Sequence, residues 1–122
     1  MPRILLVDDD RSVLQLLTRA LSRYELTVAR DGLEALAASL SMDRLDLLIT
    51  DYLMPELVGD ELIARIRRQR PELKVLVITG HADILEHEAP PWWLHESHLP
   101  KPFCLEALQD RVATLIGQAS VQ

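Results

Sequence analysis

Cysteine, aromatic side chains and positive charge are all scarce in this chain. The single cysteine, Cys104, cannot close an internal disulfide and suits a reducing compartment, so the cytoplasm is the expected location. No apolar run approaches the roughly 20 residues that a helix needs to span a bilayer. The opening MPRILLVDDD lacks the long apolar centre and small-residue cleavage site of a secretory signal, so a soluble chain without membrane association is expected. Cations are outnumbered, 13 Lys+Arg against 19 Asp+Glu, for a formal net charge of −6. That balance argues against direct nucleic-acid binding. The densest basic stretch, Arg65, Arg67, Arg68 and Arg70, falls in a helical pattern and reads as a solvated helix face.

What is present is enough for one core: 122 residues, 48% of them hydrophobic, near the commonest single-domain size. One domain over 1–122 is expected, with 118–122 a frayed tail or the start of a linker. Short runs rich in branched residues, at 4–7, 26–29, 47–50 and 75–78, read as strands. Between them Val13, Leu17, Ala20 and Leu21 mark one helical face, Leu33, Leu36, Ala37 and Leu40 a second, and Leu62, Ile63 and Ile66 a third. A short strand at 97–99 precedes a last helix carrying Leu105, Leu108, Val112, Leu115 and Ile116, with Gly117 as a stop signal. Strands apolar nearly throughout imply burial on both faces, which an open, doubly wound α/β parallel sheet provides. Residues 82–96 occupy the slot where a fourth helix is due, but Pro90 and Pro91 oppose it. At most one or two turns over 82–87 are expected there, followed by an irregular stretch carrying Trp92 and Trp93.

In such sheets, sites form at the carboxyl ends of strands where the strand order reverses. Asp8 and Asp9 follow the first strand, Asp51 ends the third, Thr79 ends the fourth and Lys101 follows the fifth. Carboxylates brought together repel one another, and a divalent cation resolves the repulsion. Hard oxygen ligands with room for water and a phosphate suit Mg²⁺. A carboxylate beside such an ion can attack phosphorus to give an aspartyl phosphate. The Lys101 ammonium and the Thr79 hydroxyl would then receive the phosphoryl oxygens. The plainer reading makes Asp8 and Asp9 a solvated loop, and for Asp10 a helix cap is preferred.

Four motifs, LLVDDD at 5–10, LLITDYLMPELVGDEL at 47–62, VLVITGH at 75–81 and LPKPF at 99–103, together resemble the response regulator receiver domain of two-component signalling. Their separations also match: 42 positions from Asp9 to Asp51, 28 from Asp51 to Thr79 and 22 from Thr79 to Lys101. The resemblance covers essentially the whole chain. It implies a five-stranded, flavodoxin-like sheet of order 2-1-3-4-5. It makes Asp51, followed by Met54, Pro55 and Gly59, the phosphoacceptor, fed from the phosphohistidine of a histidine kinase or phosphotransfer protein. It makes Asp9 a direct ligand of Mg²⁺ (or Mn²⁺), with Asp8 acting through water and the backbone carbonyl of Leu53 completing the set. Lys101 would pair with the phosphoryl group, Thr79 would report its arrival, and the peptide before Pro102 would be cis. The chemistry occurs on the chain itself, so enzyme activity on another molecule is not expected. The output is a changed protein-interaction face over 82–116, for a homodimer or a downstream protein.

Departures from the family pattern bear on the output. His98 stands where receivers carry Tyr or Phe as the side chain that turns inward. Leu53 and His81 occupy the two positions that govern phosphate lifetime, and Gly80 leaves room beside Thr79. Trp92 and Trp93 either cover core or contact a partner. The alternative to a working receiver is a degenerate one that docks proteins without phosphorylation. Two further rivals fare worse. A zinc module using His87, His95, His98 and Cys104 lacks a compact ligand spacing. A haloacid dehalogenase-like phosphatase would need a D-x-D-x-T pattern on the first strand, where Arg11 and Ser12 follow the acids instead.

Overall fold

The computed structural model describes residues 1–52, 57, 59–80 and 97–119. Five strands, β1 (Arg3–Val7), β2 (Glu25–Ala29), β3 (Leu47–Asp51), β4 (Lys74–Thr79) and β5 (Ser97–Pro100), form one sheet of order β2-β1-β3-β4-β5. Every pairing is parallel, with Leu5 opposite Thr27 and Leu48 and Asp51 opposite Ile78. The described helices are α1 (Arg11–Ala20), α2 (Gly32–Leu40), α3 (Gly59–Arg67) and α4 (Leu105–Ala119). The doubly wound sheet and its strand order are those expected. The segment over 82–96, including Trp92 and Trp93, lies outside the described residues.

Alternate residues along each strand feed opposite faces, so one apolar run supplies two cores. Ile4, Leu6, Ile49 and Ile78 pack with Leu14, Leu17, Leu108 and Val112 beneath α1 and α4. Leu5, Val7, Leu48 and Val77 pack with Ala35, Leu62, Ile63 and Ile66 beneath α2 and α3. Strand burial is therefore two-sided, and β3 is buried at every residue.

Local signals set the helix starts. Asp10 caps α1, its side chain accepting from Ser12 N at 2.8 Å. Asp31 caps α2 by accepting from Glu34 N at 2.8 Å, while Glu34 Oε1 accepts from Arg30 N at 3.2 Å, a two-way arrangement of the capping-box type.

Three expectations are corrected. Helix α2 buries Gly32, Ala35 and Ser39, whereas Leu33 and Leu40 are exposed and Leu36 only half-buried. At the start of the helix the reason is close approach: a Cβ on Gly32 would sit 2.5 Å from both Leu57 Cβ and the Leu57 carbonyl oxygen, while Leu36 still packs against the core from its half-buried position. Helix α4 runs through Gly117 to Ala119, because one glycine costs only about 1 kcal/mol while Val112 and Leu115 anchor that helix in the core. The basic stretch is not all solvated face. Arg67 donates to the Leu73 carbonyl at 2.8 Å and Arg70 to the carbonyls of Ser39 and Met42 at 3.0 and 2.5 Å, stitching the exit of α3 to β4 and to the end of α2.

Candidate functional site

Strand order reverses between β1 and β3, and Asp8 and Asp51 stand at the carboxyl ends of those two strands. Both are withdrawn from water, with exposures of 1% and 8%, whereas Asp9 faces solvent. Carboxylate oxygens of Asp8, Asp9 and Asp51 lie within 4.8 Å of one another. Lys101 enters from the far side of β4, its ammonium donating to Asp8 Oδ2 at 2.8 Å and to Asp51 Oδ2 at 3.3 Å. The remaining oxygens are also engaged: Asp8 Oδ1 accepts from Asp10 N at 2.9 Å and Asp51 Oδ1 from Tyr52 N at 2.7 Å.

The backbone around Lys101 fixes its reach. Lys101 N donates to the Thr79 carbonyl at 2.8 Å, extending the β4–β5 ladder by one step past Thr79 and Pro100, and the Lys101–Pro102 peptide is cis. Thr79 is fully buried at the end of β4. Gly80 follows it, and among the described residues a Cβ there would meet Lys101 Cβ at 4.0 Å, an ordinary van der Waals contact. His98 is half-buried on β5 opposite Val77, and its carbonyl accepts from Arg111 at 3.1 Å. Leu53, Met54, Pro55 and His81 lie outside the described residues.

Electrostatically the site is a frustrated triangle. Burial raises the Asp51 carboxyl above its ordinary value; the Lys101 charge pulls the other way but does not win, and the neighbouring Asp8 adds to the rise. Burial alone would lower the Lys101 ammonium, yet its hydrogen bond to Asp8 and the two carboxylate charges outweigh it and raise its pKa. The lysine faces two anions. Asp51 faces one cation, two anions and little water.

A hard divalent cation fits this donor set. Every group is a carboxylate oxygen, the spacing permits one ion to reach all three side chains, and such all-oxygen acidic sites suit Mg²⁺ rather than a soft metal. Sequence reading located all five side chains at strand ends. It did not foresee the Lys101–Asp8 ion pair or the clamping of Asp8 and Asp51 by the following backbone N–H groups. Local turn geometry and a contact across 93 residues leave no mark in a motif.

Fold and pocket together define a class: a doubly wound α/β protein with a buried, lysine-bridged acidic cluster at its topological switch point. The chain belongs to the response regulator receiver domain family, whose model matches residues 4–113. It is 40% identical over 116 residues to Response regulator MprA of Mycobacterium avium, covering 93% of this chain and 50% of that protein. The chain thus spans about half the length of the curated relatives it matches. Among solved structures, a CheY-like response regulator receiver domain protein from Methanospirillum hungatei superposes with a TM-score of 0.87 at 26% identity, covering 98% of this chain and 96% of that one. A chain described as adenylate cyclase from Rhodopirellula baltica gives 0.85 at 33% identity, over 96% and 88%. Among the described residues no helix is long and apolar enough to cross a membrane.

Proposed function

We propose that this receiver takes a phosphoryl group from the phosphohistidine of a histidine kinase or phosphotransfer protein onto Asp51, and that the modification changes a protein-binding face. The observation that carries the reading is the meeting of Asp8, Asp9 and Asp51 within 4.8 Å with Lys101 bridging two of them.

In this reading a carboxylate oxygen of Asp51 attacks phosphorus. The new O–P bond forms from a carboxylate electron pair, and the N–P bond of the donor breaks with its pair returning to the imidazole. Burial favours the attack by stripping water from Asp51, and Tyr52 N orients the carboxylate through its bond to Oδ1. Lys101 sits closer to Asp8 than to Asp51, 2.8 against 3.3 Å, so it can turn toward a phosphoryl oxygen while Asp8 keeps it charged. Asp8, Asp9 and Asp51 would hold the Mg²⁺ ion, or Mn²⁺, with the Leu53 carbonyl. Asp9, whose side chain makes no hydrogen bond among the described residues, would be the direct ligand, while Asp8, with both oxygens engaged, would act through water. When bound, the ion offsets negative charge as the anionic donor approaches. Thr79 supplies its hydroxyl to the arriving group.

The chain is itself the substrate of this chemistry, so it is not an enzyme acting on other molecules; it acts in the cytoplasm, and a histidine kinase or phosphotransfer protein is its partner. The alternative, a docking module that takes no phosphoryl group, rests on His98 at the position of the family's aromatic switch. One experiment separates the two. Incubation with acetyl phosphate and Mg²⁺, followed by intact mass measurement, should add one phosphoryl group to the wild-type chain and none to Asp51→Asn. An unmodified wild-type chain, or undiminished modification of Asp51→Asn, would defeat the phosphoacceptor assignment.

A further inference from the structure

A second cleft lies between α1 and the edge strand β2. Its volume is about 550 Å³, and its lining includes Arg11, Arg19, Arg30, Gln15, Leu14 and Val28. In a chain of net charge −6 the lining holds three guanidinium groups and no carboxylate.

The three arginines differ from most others in the molecule. Arg3, Arg44 and Arg65 pair with carboxylates. Arg67, Arg70 and Arg111 donate to backbone carbonyls, and Arg23 stacks over Tyr24. Among the described residues, the side chains of Arg11, Arg19 and Arg30 have no hydrogen bond, ion pair or ring contact, a condition that only Arg68 shares among the other arginines. Like charges gathered without counter-charge raise the local potential, which an anionic ligand relieves.

We propose that this cleft is a ligand site for a nucleoside polyphosphate. Three features select that chemistry over a single small anion. Arg11 and Arg19 lie eight residues apart on one helix, about 12 Å along its axis, so the cationic lining is elongated. Val28, 43% exposed, offers apolar surface in the lining for a base or sugar face, with Gln15 as a polar contact. The volume matches clefts that hold ligands of this size rather than lone ions, and guanidinium forks suit phosphate oxygens.

The test titrates the full chain with ATP, ADP, AMP and pyrophosphate by calorimetry, in EDTA so that no cation can bridge phosphate to the acidic cluster. ATP should bind saturably, affinity should fall with each phosphate removed, and pyrophosphate, lacking the apolar body, should bind more weakly than ADP. Amide chemical shifts should move at Gln15, Arg19 and Val28. Arg19→Gln and Arg30→Gln should each weaken ATP by about tenfold, while Arg68→Gln, equally unpaired but remote, should not. All three positions are exposed, and circular dichroism checks their folding. The proposal is overturned by an absence of saturable ATP binding, by equal affinity in the Arg19 and Arg30 variants, or by binding of a polyglutamate peptide that ATP does not displace. The last result would make the cleft a protein-docking face instead.

Discussion

The two ends of the sheet carry ion pairs of the same chemistry in opposite surroundings. At the amino end Arg3 meets Glu25 at 2.9 Å with side chains 40% and 50% exposed, and Arg44 meets Asp46 at 3.2 Å. At the carboxyl end Lys101 meets Asp8 at 2.8 Å with exposures of 22% and 2%, and Asp51 at 3.3 Å. Water and salt screen the first set, whose contribution should be about 0–1 kcal/mol per pair. The second set has lost most of its water, so each member depends on the others. The amino end is ordinary surface, whereas the carboxyl end holds charge that folding alone disfavours. Asp51 shows it directly, since burial raises its pKa even with an ammonium beside it.

The largest effect should come from removing the shared cation. Lys101→Met leaves Asp8 and Asp51 facing each other without a positive partner, and should destabilise the protein in EDTA by about 3 kcal/mol. Urea denaturation at neutral pH measures it. Added Mg²⁺ should recover part of the loss, because an ion at the carboxylates binds the folded state alone. A loss below about 1 kcal/mol would mean that the buried set is as well screened as the exposed one. The comparison between the two ends would then collapse.

How much of this was legible beforehand follows the range of each interaction. The strands could be read because runs such as Leu47–Asp51 are buried on both faces, a condition that branched apolar residues announce without reference to anything distant. The site residues were legible because a polar side chain at the end of such a run is conspicuous. Helix α2 was misread for a physical reason. Leu33, Leu36, Ala37 and Leu40 form an apolar stripe, but the helix approaches Leu57 so closely at Gly32 that a glycine faces inward there, and of the stripe only Leu36 packs against the core. Size outweighed hydrophobicity there. The roles of Arg67 and Arg70 were hidden likewise, because the carbonyls they reach are set by the packing of α2, α3 and β4. The fate of Lys101 could be read only as a partner for phosphate; its pairing with Asp8 and Asp51 belongs to the assembled pocket.

A smaller effect, opposite in sign, tests Asp51. Because its folded pKa is raised above 3.8, the folded state holds that proton more tightly than the unfolded chain, and ionised Asp51 opposes folding. Stability linked to this group therefore falls as pH rises from 3.8 through the raised folded value, and stays low above it. Asp51→Asn removes the charge while keeping the shape, so in EDTA at neutral pH it should raise Tm by about 2–5 °C, equivalent to about 1 kcal/mol. The gain should shrink as pH falls through that window. Lys101 shows the same sign in a far more alkaline window: its raised folded pKa contributes stability below 10.5 that is lost as pH climbs through the folded value. Thermal scans across pH distinguish the two groups. A substitution that destabilises at neutral pH would show that attraction to Lys101 outweighs burial at Asp51.

The smallest effect belongs to the amino end. Arg3→Gln removes the guanidinium but leaves the Arg3 backbone N–H that donates to Asp46 at 2.8 Å, so the strand keeps its anchoring bond. Removing one exposed partner strands no charge, because Glu25 returns to water at no desolvation penalty. A double-mutant cycle with Glu25→Gln should therefore give a coupling below about 0.5 kcal/mol, and high salt should reduce it further. The Lys101–Asp8 coupling, measured the same way, should hardly respond to salt, since little electrolyte reaches a side chain that is 2% exposed. The contrast in salt sensitivity is sharper than the contrast in size, because it reads solvent access directly and does not depend on what each substitution does to packing.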